Sequence, residues 1–147
     1  MDHSAMTAFW DELWSKNLWW PAFDPSFKDL SPEQAAWKAS PGRHSIWQIL
    51  NHICFWREVV VGRLEGKEPP PHELERRNFE EPANRSDAAW KASVERFARS
   101  QRVVRSALES GKLTEDRFRF MVPHDAYHLG QVMYIRAMLG LEPIGYE

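Results

Sequence analysis

Residues 121–139 read MVPHDAYHLGQVMYIRAML. Met121, His124, His128, Val132, Ile135 and Leu139 recur at three- and four-residue spacing, the period of an amphipathic helix rather than of a strand. The pattern predicts a helix from about Met121 to Leu139. Pro123 is tolerable there only in the first turn, and Gly140 is the stop. Two histidines fall inside this apolar stripe. Four residues is about one helical turn, so the rings of His124 and His128 project the same way, offset by roughly 40°. Imidazoles on a core-facing stripe need polar partners, and a metal ion bound by neutral imidazole is one such partner.

Working outward, three more long helices read from the same period. The first spans about Asp2 to Trp19, with Met6, Phe9, Trp10, Leu13 and Asn17 on one face and Pro21 and Pro25 beyond it. A second starts at Ser45, a good N-cap, and runs to about Glu65 before Gly66, with a stripe of Ile46, Ile49, Ile53, Trp56, Val60 and Leu64. A third starts after Ser86 and ends near Ser110 and Gly111, with Trp90, Val94, Phe97, Gln101, Val104 and Leu108 aligned. A short helix over Leu30–Trp37 has Ser31 as N-cap and Pro32 at its first position. The Lys67–His72 stretch holds three consecutive prolines, which exclude a helix there. No segment alternates with period two, so strands are not required. The expectation is an all-α protein, a four-helix bundle forming a single domain over residues 1–147.

Composition narrows the function classes. The 147 residues suit one domain with a proper core, and 43% hydrophobic with 27% charged residues is an ordinary globular balance. A formal net charge of -2 gives no electrostatic reason to bind nucleic acid or an anionic membrane. The only cysteine, Cys54, excludes an intrachain disulfide and suits a reducing compartment. The N-terminal residues lack the apolar core of a signal peptide, and no run approaches the ~20 residues that span a bilayer. A cytoplasmic protein without membrane or nucleic-acid partners is expected. The eight tryptophans read first as core, and second as walls of an aromatic pocket.

Of the remaining histidines, His52 lies at the edge of the second helix's stripe, beside Ile49 and Trp56, and can reach a cavity on that flank. If the helices pack side by side, His52, His124 and His128 can meet at one ion. Three histidines leave coordination positions for water or substrate, which is the catalytic type of site, whereas structural sites close with four protein ligands. Other readings stay open, since core histidines also donate to backbone carbonyls. Asp125 follows His124 as Glu does in the His-Glu-x-x-His motif of zinc proteases, but it is shorter and points about 100° away on the wheel. It reads better as a first-turn carboxylate favoured by the helix dipole. His44, just before the second helix, is a further candidate to cap it or to line the site. His3 and His72 read as solvated, and Cys54 as a small buried hydrophobe. Gly130 implies either close helix approach or drift. Gln131, within about 20° of His124 on the wheel, either holds a water or a ligating ring in orientation or is an amide satisfied within the bundle.

The segment His124-Asp-Ala-Tyr-His-Leu-Gly-Gln-Val-Met-Tyr-Ile-Arg136 resembles the last-helix signature of the DinB/YfiT-like superfamily. Arg43-His-Ser-Ile-Trp-Gln-Ile-Leu-Asn-His-Ile-Cys-Phe-Trp-Arg57 resembles the same superfamily's second-helix signature, which carries its first metal-binding histidine. The resemblance implies a four-helix bundle of up-down-down-up connectivity, often a homodimer. It implies a divalent metal, zinc or nickel, held by His52, His124 and His128. It also implies a metal-dependent enzyme acting on a small molecule, either a transferase using a low-molecular-weight thiol as cosubstrate or a hydrolase. Tyr127 and Gln131 are the candidates for supporting the ligands. The alternative is a non-catalytic metal-binding stress-response protein, for which a fourth protein ligand would be the sign.

Overall fold

A computed structural model describes residues 1–145. Among them are seven helices and no strand. In chain order these are α1 (His3–Ser15), α2 (Phe23–Ser26), α3 (Pro32–Ala36), α4 (Ile46–Leu64), α5 (Pro71–Arg77), α6 (Asp87–Glu109) and α7 (Glu115–Met138). They fall into two compact units, one of Met1–Lys28 with Gln101–Glu147, the other of Asp29–Ser100. No helix among the described residues is long and apolar enough to cross a membrane.

The first unit is built on α1, α2, the end of α6 and α7. Asp2 caps α1 by accepting from the Ala5 amide at 2.7 Å, and Met6, Trp10 and Leu13 bury its apolar face. Trp10 meets Phe23 and Phe118 edge-on, with centroids 6.1 and 6.2 Å away. Its indole donates to the Gln101 carbonyl, and the Gln101 amide donates back to the Trp10 carbonyl, both at 3.0 Å. Arg136 of α7 donates to the carbonyls of Ser26 and Lys28, satisfying the end of α2.

In the second unit, α4 begins with a reciprocal cap. The Gln48 amide donates to Ser45 Oγ and the Ser45 amide to Gln48 Oε1, each at 3.1 Å. α3 has the same device between Ser31 and Gln34, with Pro32 opening the helix. The N-terminal half of α4 is buried on nearly every side, from Ile46 to Phe55 without a break. The narrow stripe expected from sequence is therefore only part of its contact surface. Trp47 packs edge-on to Trp90, centroids 5.1 Å apart, and donates to Ser93 Oγ. Arg57, 1% exposed, donates to Ser100 Oγ and covers the Phe97 ring.

Four boundaries differ from the sequence reading. α1 stops at Ser15 rather than near Trp19, because the Asn17 side chain accepts from the Ala22 amide and closes a turn of its own. The four-residue helix α2 lies in what read as connection. The prolines before His72 do not exclude a helix. Pro70 caps α5 and Pro71 takes its first position, where an amide hydrogen has no intrahelical partner to lose. α7 starts at Glu115, well before Met121, so Pro123 sits in its interior and costs it one backbone bond. The start follows from Thr114 in extended conformation, with Glu115 and Asp116 in the first turn where the helix dipole favours carboxylates.

Candidate metal centre

His52 is 5% exposed on α4. Its Nδ1 donates to the Asn78 carbonyl at 2.7 Å. A carbonyl only accepts, so the proton is on Nδ1 and Nε2 carries the lone pair of the neutral ring. On α7 the same logic applies twice. His124 Nδ1 lies 2.9 Å from Asp125 Oδ1, and His128 Nδ1 lies 2.8 Å from Gln131 Oε1. Both oxygens accept, which favours the tautomer with the proton on Nδ1 and the lone pair on Nε2. The two rings are 4.7 Å apart by centroid and meet edge-on, as one-turn spacing requires.

Among the described residues, one group of His, Cys, Asp or Glu side chains is close enough together to hold a metal ion. It comprises His52, His124 and His128, each offering a ring nitrogen, with those atoms all within 4.8 Å of one another. His52 and His128 are buried and His124 is intermediate. Three neutral imidazole nitrogens suit a borderline divalent ion of the zinc or nickel kind.

Asp125 differs from its sequence reading. It is 2% exposed and lies in the third turn of α7, because the helix begins ten residues before it. It is therefore a buried acceptor for the His124 ring and does not stabilise a helix start. The wheel angle that argued against Asp125 applies to Cβ directions; neighbouring side chains still meet when a ring turns its Nδ1 edge sideways. Gln131 orients a ring, that of His128. Tyr127 is 66% exposed, and its ring meets that of His128 edge-on, centroids 5.2 Å apart. Gly130 has open space around it, since a Cβ there would meet nothing within 4 Å.

His44 neither caps α4 nor offers a ligand. Its ring lies parallel to Phe79 at 3.8 Å, and burial lowers its proton affinity, with Lys38 adding to the effect. Cys54 is 1% exposed, and burial pushes its thiol up to about 11. His3 and His72 are exposed. Sequence reasoning missed Asn78 and Phe79. They lie in a charged stretch after the prolines, and no periodicity marks a segment held by side chains of another helix.

No curated protein and no solved structure matches the chain. The family model of the DinB superfamily matches residues 19–132, a span that holds His52, His124, His128 and Gln131, and the chain belongs to that superfamily.

Proposed function

We propose that His52, His124 and His128 hold one divalent metal ion and that the protein is a metal-dependent enzyme acting on a small molecule, by thiol transfer or hydrolysis. One observation carries the reading: each of the three rings gives its Nδ1 proton to an oxygen acceptor and so presents Nε2. A core histidine needs only one such bond to be satisfied. Three rings sharing the same tautomer, grouped together, are what a metal site requires. When bound, the ion supplies Lewis acidity, lowering the pKa of a coordinated water or thiol toward neutrality.

The chain's own residues prepare the site. The Asn78 carbonyl, Asp125 and Gln131 set the tautomers and the directions of the ring nitrogens. Asp125 is a buried acceptor beside His124 and holds the direction of that ring. The group has three members among the described residues, which favours an open coordination position and an enzyme over a closed, non-catalytic site.

Elemental analysis of untagged protein is the first test, with about one zinc or nickel per chain expected. No metal after purification, and none on incubation, overturns the reading. The loaded protein is then offered a panel of low-molecular-weight thiols with electrophiles such as chlorinated aromatics. Thiol consumption that requires metal selects the transferase; thiol-independent ester or amide cleavage selects the hydrolase. Bound metal with neither activity favours the stress-response alternative.

A further inference from the structure

We propose that Phe79 is a positioning residue for His52, part of a clamp over residues 78–80 that fixes the plane and the tautomer of that ring before any ion arrives. The inference rests on His52 being a ligand. The Phe79 ring lies parallel to His52, with centroids 4.0 Å apart and planes within 4°. It lies equally parallel to His44, 3.8 Å away and also within 4°. Two rings parallel to Phe79 at such distances cannot occupy one of its faces. Phe79 is therefore held between them, with His44 as the solvent-side cover and His52 as the inner layer.

The backbone under that ring is held just as firmly. Gln48, Asn51, His52 and Trp56 share one face of α4, at the three- and four-residue spacing of neighbouring turns. Gln48 donates to the Phe79 carbonyl at 3.0 Å, Asn51 to the Glu80 carbonyl at 2.9 Å, His52 to the Asn78 carbonyl, and Trp56 to Asn78 Oδ1 at 2.9 Å. Three successive carbonyls are thus occupied by side chains of a single helix. The arrangement does more than satisfy a loop. The Nδ1 bond chooses which edge of His52 faces the clamp, and the Phe79 stack removes the remaining tilt. Together they restrict where Nε2 points. A ligand held in place by the fold loses little freedom when an ion binds, and its affinity gains accordingly.

The test uses cobalt(II), whose visible absorption reports coordination geometry. Phe79→Leu keeps an apolar side chain but removes the flat face. It is expected to weaken cobalt and zinc binding by about tenfold to a hundredfold and to alter the cobalt spectrum. Phe79→Tyr, which keeps the face, restores both. A general loss of stability would not move the spectrum of the protein that remains folded. His44→Ala removes only the exposed cover, so it provides a variant that folds; a smaller loss of affinity in the same direction is expected. Wild-type affinity and spectrum in folded Phe79→Leu, or no change in His44→Ala should Phe79→Leu not fold, overturns the clamp. Wild-type protein that takes up no cobalt or zinc is a different result and removes the metal reading itself.

Discussion

Asp125 Oδ1 lies 2.9 Å from Nδ1 of His124, the residue before it on α7, and the carboxyl group is 2% exposed. A buried carboxylate is costly unless it is paired, so this placement fixes the His124 ring as firmly as the ring satisfies Asp125. Replacing Asp125 with Ala is expected to lower zinc affinity by about tenfold to a hundredfold, read by competition with a chromophoric chelator. Asp125→Asn keeps an oxygen acceptor and should lose less. Equal affinity in wild type and Asp125→Ala would show that His124 takes its orientation from elsewhere.

His128→Ala tests a ligand directly. Binding to the folded state alone stabilises it, by about 2.7 kcal/mol when free ligand is a hundred times Kd. Chelator should therefore lower the wild-type Tm by several degrees. In His128→Ala, metal content and Tm should fall together, and chelator should have little further effect. Unchanged metal content with an unchanged chelator response would remove His128 from the ligand set.

The long helices and the His124–His128 pair were legible from sequence because each rests on a local rule, whereas His52 joins them only through helix packing and the family resemblance. Ser45 followed three residues later by Gln48 is a capping signature, and α4 starts there. The period of Trp90, Phe97, Val104 and Leu108 set α6 within a residue or two of its ends. The errors came where one rule was weighed without its competitor. Pro123 alone points to a start of α7 near Met121, whereas Thr114, Glu115 and Asp116 carry the start signal that the helix uses. That single misplacement put Asp125 in a first turn and hid its bond to His124. Asn78 and Phe79 were beyond reach for another reason: their role depends on which segment lies against α4, and nothing local encodes that pairing.

Cys54 gives a prediction about reactivity and pH. The thiolate is the nucleophile, and burial raises the thiol to about 11. Native protein at pH 8 should resist iodoacetamide for hours, with one adduct forming promptly in urea, as read by intact mass. The sign for stability follows. A folded-state pKa above the unfolded value of 9.0 means that the unfolded chain loses its proton first as pH rises. The contribution is intact below about pH 9 and is lost progressively toward pH 11. The stability difference between wild type and Cys54→Ala should therefore shift against wild type over that window. Rapid native alkylation at pH 8 would contradict the burial on which both statements depend.

Gly130 separates two explanations of a mid-helix glycine. Gly is about 1 kcal/mol less favourable than Ala within a helix, and a close approach by another part of the chain can justify it. Here a Cβ would meet nothing within 4 Å, the position is exposed and its φ is not in the left-handed range. Nothing among the described residues requires the glycine. Gly130→Ala should therefore raise stability by about 1 kcal/mol and Tm by roughly 2–4 °C for a chain of this size. Metal content should be unchanged, because a Cβ at residue 130 would meet neither His124, Asp125 nor His128 within 4 Å. A lowered Tm would reveal a contact at this face that the isolated chain does not make, and sedimentation of wild type and variant across a concentration series would show whether a second copy supplies it.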